Sequence, residues 1–89
     1  MSLFSSLFGA KEAPRQEPVV YQAFSIFADP IKDGSHWRVA ARIEKDIAGE
    51  ARTHQLIRAD TLDSQVAAAE ASVEKAKQMI DEQGEGIFR

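Results

Sequence analysis

The stretch HWRVAARIEKDIAGEARTHQLIRAD, residues 36–60, decides the fold, because apolar and polar side chains alternate on both sides of the turn sequence DIAGE. Alternation with a period of two is typical of a half-buried β-strand. The stretch therefore predicts two antiparallel strands joined by a turn. Basic residues recur at alternate positions of this hairpin, so its polar face either binds a polyanion or carries charges that are neutralised within the sheet.

A third strand is predicted before this hairpin, in VVYQAFSIFADP, residues 19–30, which also alternates with a period of two. Pro30 ends that strand, and Asp33-Gly34 is a dipeptide favoured in a two-residue hairpin turn. A turn at this place pairs inward-facing residues with one another. The predicted pairs are Lys32 with Ser35, Ala28 with Val39, Ile26 with Ala41, and Phe24 with Ile43.

The second turn is predicted to be one residue longer than Ala48-Gly49. A two-residue turn there would place Leu56 opposite Ala41 and Arg58 opposite Val39, which puts a charge on the core side. The longer turn instead pairs Ala41 with Ile57, Val39 with Ala59 and Ile43 with Gln55. We expect this register because every inward position except Gln55 is then apolar.

A single helix is predicted after the sheet, in SQVAAAEASVEKAKQMIDEQ, capped by Asp63 or Ser64 and ended by Gly84. Its apolar residues recur at three- and four-residue spacing and form one stripe. The predicted stripe contains Leu62, Val66, Ala69, Val73, Ala76 and Ile80. The fold class is therefore α+β: a three-stranded antiparallel meander covered on one face by a single long C-terminal helix, with Trp37 as the largest core residue.

The domain organisation is predicted to be a flexible N-terminal segment and linker, residues 1–18, followed by a single β-β-β-α domain, residues 19–89. Residues 1–9 place Leu3, Phe4, Leu7 and Phe8 on one side of a short helix, and residues 10–18 carry two prolines and four charges. We expect the terminus to fold back on the domain at times. Weak interfacial anchoring is the alternative, which the absence of Lys and Arg from residues 1–9 disfavours. No apolar run is long enough to span a bilayer.

The predicted outer face of the sheet collects Arg38, Arg42, Arg52 and Arg58. In the predicted register these arginines alternate with Asp29, Glu44, Asp46 and Asp60, so the face is formally neutral. The whole chain carries 11 Lys and Arg against 14 Asp and Glu, a net charge of −3. Because a phosphate-binding surface needs uncompensated positive charge, the arginines are interpreted as paired surface residues.

No catalytic, cofactor-binding or metal-binding site is predicted. The two histidines, His36 and His54, fall on different strands, and there is no cysteine and no glycine-rich phosphate loop. No serine or threonine has a predicted neighbouring base. We expect a protein that is not an enzyme, needs no cofactor and resides in the cytoplasm, the default for a chain without cysteine.

Three motifs, ARIEK at 41–45, LIRADT at 56–61 and KAKQMIDEQGEGIF at 75–88, together resemble a small bacterial family labelled HlyU, a transcriptional activator. The resemblance covers the chain from Tyr21 to Phe88 and includes the SLFSSLFG-like start. It implies a regulatory, transcription-associated role. It assigns no catalytic or ligand residue.

Two functions are compatible with these observations. The favoured one is a protein-interaction module, homodimeric or bound to another protein through the outer sheet face or a free strand edge. Its candidate surface is Tyr21, Phe27, Leu56, Arg42 and Arg58. The alternative is a direct DNA-binding activator that uses Arg38, Arg42, Arg52 and Arg58. Charge balance disfavours the alternative, as does the prediction of one long helix where a helix-turn-helix needs two short ones.

Overall fold

The computed structural model describes residues 17–89, which form an antiparallel sheet and one C-terminal α-helix. The elements are β1 (Val19–Tyr21), β2 (Phe24–Ala28), β3 (Ile31–Asp33), β4 (His36–Ile47), β5 (Glu50–Leu62), α1 (Gln65–Gln83) and a 3₁₀ helix (Gly84–Phe88). The α+β class and the single C-terminal helix are confirmed. The prediction of three strands is wrong, since the sheet has five.

Two departures from the predicted meander produce the extra strands. The predicted first strand ends before Pro30, but pairing with β4 resumes after the proline, so that β2 and β3 lie one after the other along the same edge of β4. Proline has no N–H to donate to a ladder, which explains the interruption. In addition, β1 folds back on β2 through a turn in which Gln22 and Ala23 have φ of 52° and 71°.

The first predicted hairpin is displaced by two residues. The turn residues are Gly34 and Ser35, because Asp33 pairs with His36 and Lys32 pairs with Trp37 rather than with Ser35. Further along the ladder, Ala28 pairs with Ala41, Ile26 with Ile43, and Ser25 with Glu44. A shift of two residues keeps each side chain on its face, so the predicted inward set still points to the core although its partners were wrong.

The second predicted register is wrong, because the turn is the two-residue one at Ala48-Gly49, with Ile47 opposite Glu50. Ala41 consequently pairs with Leu56, which is buried, while Ile57 pairs with Ala40 and is 57% exposed. The charge on the core side that argued against this turn is avoided by a bulge. Between the pairs Ala40–Ile57 and Arg38–Thr61, β5 contains two more residues than β4.

The helix covers one face of the sheet. It begins after Ser64, whose hydroxyl accepts a hydrogen bond from the Ala67 N–H at 3.0 Å, and it ends at Gly84, as predicted. Its buried residues recur every fourth position: Ala68, Ser72, Ala76 and Ile80. Val66, predicted in the stripe, is 69% exposed, because the buried row of the helix begins with Ala68 and Ser72 and does not include Val66.

The hydrophobic core lies between this helix and the inward face of β2, β4 and β5. It contains Phe24, Ile26, Ala41, Ile43, Leu56, Ala76, Ile80 and Ile87. The 3₁₀ helix completes it, since Ile87 is buried and the Phe88 ring stacks on Phe24 with centroids 6.0 Å apart. Trp37 is only partly buried and lies opposite Lys32, outside this cluster, so it is not the main core residue.

Among residues 17–89, Ser72 is the only buried polar residue, and it joins the helix to the sheet. Its hydroxyl accepts a hydrogen bond from the Ala40 N–H at 3.0 Å and donates one to the Ala68 carbonyl at 2.6 Å. Ala40 faces the break between β2 and β3, where its carbonyl accepts a hydrogen bond from the Asp29 N–H at 2.9 Å and strand pairing is interrupted. The serine therefore satisfies a backbone donor at an irregular point of the ladder.

No helix in the described part of the chain is long and apolar enough to cross a membrane. The predicted N-terminal helix of Leu3, Phe4, Leu7 and Phe8 lies outside the described residues, as does most of the predicted linker. The boundary near residue 18 therefore stays a prediction.

Candidate interaction surface

The outer face of the sheet, opposite α1, is the candidate surface. Residues directly opposite one another on antiparallel strands share a face, so the rows of the outer face follow from the register. Phe27, Arg42 and Gln55 form one row, and Ala40 with Ile57 form the next. Within residues 17–89, the helix and the 3₁₀ helix both contribute their buried residues to the other face.

Three large apolar side chains are exposed on this face. Val20 on β1, opposite Ser25, is 70% exposed. Ile57 on β5 is 57% exposed, and Ile31 on β3, opposite Arg38, is 41% exposed. Phe27 lies on β2, on the same edge of β4 as Ile31, and is partly buried under Arg42, whose guanidinium carbon is 4.2 Å from the ring centroid. The face therefore combines exposed aliphatic side chains with an arginine stacked on an aromatic ring, which is a composition found in protein interfaces.

The arginines of the outer face form ion pairs within the sheet. Arg42 Nε donates to Glu44 Oε2 at 2.7 Å, two residues further along β4. Arg38 donates to the Asp33 carboxylate across the β3–β4 pair. The predicted neutrality is thus reached with other partners than Asp29 and Asp60, because the register differs from the predicted one.

Arg52 and Arg58 do not share this face in the way that was predicted. Arg52 lies opposite Lys45, whose ammonium is 4.5 Å from the Phe24 ring centroid, so Arg52 belongs to the helix side of the sheet. Its Nε is 3.5 Å from Glu50 Oε1. Arg58 falls in the bulge of β5. The four arginines predicted to share the outer face of the sheet are therefore distributed over different parts of the molecule.

Tyr21 and Leu56 also lie elsewhere than predicted. The Tyr21 hydroxyl donates to Asp81 Oδ1 of α1 at 2.7 Å, and this hydrogen bond, together with desolvation, raises the pKa of Tyr21 above its usual range. Leu56 is 5% exposed and part of the core. Of the predicted interaction residues, Phe27 and Arg42 are adjacent on the outer face.

Ile31 and Ile57 were not singled out from the sequence. The signal for Ile57 was present, because the rejected two-residue turn at Ala48-Gly49 puts it outward. The signal for Ile31 was weaker: it follows Pro30 directly, and only the continuation of the β2 register along β3 shows which face it takes.

The described residues contain no group of three or more His, Asp or Glu side chains placed to hold a metal ion. His36 is the first residue of β4, and its Nε2 lies 3.4 Å from Oδ1 of Asp63, which follows β5. His54 lies opposite Ile43 rather than beside Glu44, and it is partly buried. The two histidines are separated along the sheet as predicted, although their neighbours differ from the predicted ones.

Comparison with known proteins gives one match. A family model described as transcriptional activator HlyU matches residues 2–88, which is almost the entire chain. No curated protein and no solved structure matches it.

Proposed function

The chain belongs to the family described as transcriptional activator HlyU, which indicates a transcription-associated regulatory role, and from this premise we propose that it acts as a non-enzymatic protein-interaction module. The proposed docking surface is the outer face of the sheet around Phe27, Arg42, Ile31 and Ile57. The observation that carries the proposal is that this face exposes aliphatic side chains while its arginines are already ion-paired.

Charge supports a protein partner over DNA. A protein gains affinity for DNA by neutralising phosphates with Lys and Arg, and each such contact requires a free positive charge. Arg38 and Arg42 are held by Asp33 and Glu44, and the net charge of the whole chain is −3. To contact phosphate, each arginine would first have to leave its carboxylate.

The helix α1 does not offer an alternative recognition helix for DNA. A helix-turn-helix protein inserts a second, short helix into the major groove. Residues 17–89 contain one α-helix, and its row of buried residues is packed on the sheet. Its exposed residues include Glu70, Glu74 and Glu82, which would repel phosphate.

The partner that fits the outer face presents an apolar patch. Interfaces are dominated by a few aromatic, aliphatic and arginine anchors near the centre of the contact. Ile57 and Ile31 would supply the aliphatic contacts, and Arg42 would bring a guanidinium that is already partly neutralised. The cytoplasmic location expected from the absence of cysteine is part of the same proposal.

The first test concerns the face itself. Ile31→Lys and Ile57→Lys should each abolish the regulatory effect in a transcription reporter assay, because each places a charge in the centre of the contact. Val66→Lys is the matched control, since Val66 is equally aliphatic and 69% exposed but lies on the helix. Normal regulation by folded Ile31→Lys and Ile57→Lys chains would refute the proposed surface.

The second test concerns DNA. Titration of labelled duplex at physiological salt should show binding no tighter than the non-specific range of about 10⁻⁴ to 10⁻⁶ M. The double variant Arg38→Ala, Arg42→Ala should bind equally weakly. Nanomolar affinity that is lost in the folded double variant would establish the alternative, a direct DNA-binding activator.

A further inference from the structure

The longest strand of the sheet has an unpaired edge. β5 spans thirteen residues, Glu50–Leu62, and among residues 17–89 it pairs with β4 alone. Its other edge presents backbone N–H and C=O groups that can pair with another strand. The bulge that interrupts the ladder is confined to the segment between Ile57 and Thr61, so the strand is regular from Glu50 to Ile57.

We propose that two copies of the chain pair antiparallel through β5 and form one continuous ten-stranded sheet around a two-fold axis perpendicular to it. The proposed partner is a second copy, because Arg52 and Asp60 lie four residues on either side of Leu56 and therefore face each other when two β5 strands pair antiparallel. Antiparallel pairing of identical strands about such an axis pairs residues whose numbers have a constant even sum, since each side chain must stay on its own face.

The register with the greatest overlap is also the favourable one. When Leu56 meets Leu56 of the second copy, all thirteen residues overlap, and Arg52 of each copy lies opposite Asp60 of the other. Asp60 is in the bulge, but Ile57 and Thr61 on either side both lie opposite outer-face residues of β4, so the bulge preserves the alternation of faces. Both side chains are exposed. Centring the pair on Gln55 instead sets Arg52 opposite Arg58 and Glu50 opposite Asp60, so that both of these pairs bring like charges together. Cross-strand charge pairs thus select one register against its neighbour.

This dimer would extend the proposed surface without depending on it. A two-fold axis perpendicular to the sheet keeps both helices on the same side, so the outer faces of the two copies become one surface. Ile57 of each copy would then lie near the axis, opposite Gln55 of the other. The protein partner proposed above would meet a face twice as wide, but dimerisation itself requires only the β5 edge.

The experiment is the mass of the full chain in solution over a range of concentrations, by sedimentation equilibrium. The expected result is a dimer of twice the 9.8 kDa chain mass. Arg52→Glu and Asp60→Arg should each weaken the dimer about tenfold, because each replaces two attractive pairs by two repulsive ones, and the double variant should recover affinity to within about threefold of the parent. Glu70→Lys, an exposed helix residue with the same charge change as Asp60→Arg, is the control.

Three results would overturn the proposal. The first is a monomer at every concentration, and a monomer in which the β5 amides facing away from β4 still resist hydrogen exchange would assign the edge to a segment of the same chain. The second is a dimer that Arg52→Glu and Asp60→Arg leave unchanged, which would place the contact elsewhere. The third is a dimer weakened by both single variants but not restored in the double variant, which would remove the Arg52–Asp60 pairing. The Ile31→Lys chain should remain dimeric, so failure of the docking surface and failure of the dimer are separate outcomes.

Discussion

Replacing Ser72 by alanine should destabilise the domain through a backbone group rather than through lost packing. Ser72 is fully buried, and its hydroxyl is the acceptor for the Ala40 N–H at the break between β2 and β3. Alanine would leave that donor unpaired in a site where Ala40 is only 3% exposed. A buried donor without a partner costs about 1 to 3 kcal/mol.

An opposing effect has to be subtracted. Alanine is the better helix former, by about 0.5 kcal/mol relative to serine, and it loses little volume. The net destabilisation is therefore about 1.5 kcal/mol, taking the middle of the range for the unpaired donor. In a domain of this size each kcal/mol lowers Tm by about 4–8 °C, so Tm should fall by roughly 6–12 °C.

The assay combines thermal unfolding, followed by circular dichroism, with amide hydrogen exchange. The Ala40 amide should lose protection in Ser72→Ala while the amides of the central ladder, such as that of Ile43, keep theirs. Gln78→Ala, on an exposed position of the same helix, isolates the helix-propensity effect and should be neutral or slightly stabilising. A Ser72→Ala chain that melts at or above the parent temperature with a protected Ala40 amide would refute this reasoning.

Three further outcomes follow from the structure. Trp37→Ala should cost about 1–3 kcal/mol in a denaturant titration, below the usual cost for a core tryptophan, because the ring is only partly buried; a loss above 4 kcal/mol would contradict its position. Ala48→Asn should stabilise by about 0.5 kcal/mol, since Ala48 has φ of 54° before Gly49 and Asn-Gly suits this turn; a lower midpoint would contradict the assigned turn. The Lys45 ammonium lowers the pKa of Glu85 through a hydrogen bond. The stability that this pair contributes is therefore full above the ordinary carboxyl pKa and is lost as pH falls through the lowered one. Glu85→Gln should flatten the acid limb of a curve of Tm against pH, and an unchanged limb would contradict the pairing.

The parts of the fold that were predictable from sequence are those with strong local signals. The two ends of the helix could be predicted because Ser64 is a favourable N-cap residue and Gly84 a favourable C-cap residue. The inward set of the first hairpin could be found because the period of two survives a register error of two residues. Both predictions depend on chemistry contained in a short window.

The extra strand β1 had no such signal. Its turn uses Gln22 and Ala23 with positive φ, a conformation that favours Gly, Asn or Asp. The turn is supported from a distant part of the chain: the Gln22 side-chain amide donates to Asp81 Oδ1 at 3.1 Å, beside the Tyr21 hydroxyl. A contact sixty residues away in sequence compensates for unfavourable local chemistry, so no pattern near residue 22 could indicate the turn.

The candidate surface was only partly predictable because one bulge reassigns the residues of β5. Strict alternation with the two-residue turn would place Arg58 on the core side opposite Val39, and that cost led to the longer turn. The protein keeps the short turn and inserts two residues instead, which moves Arg58 into the bulge and leaves Ile57 on the outer face. The apolar pattern alone cannot distinguish a longer turn from a bulge, since both shift the residues of β5 relative to those of β4.

The break between β2 and β3 at Pro30 links the stability of the domain to the proposed surface. It leaves the Ala40 N–H without a strand partner on this edge of β4, so that Ser72 accepts its hydrogen bond from the helix, and it directly precedes Ile31 on the outer face. Loss of the Ser72 hydroxyl should therefore loosen the segment that positions Ile31, whereas Ile57 on β5, which pairs with the other edge of β4, should be unaffected. A regulatory defect in Ser72→Ala that persists at temperatures where the chain is fully folded would accordingly implicate the β3 half of the outer face, because the β5 half retains its own ladder.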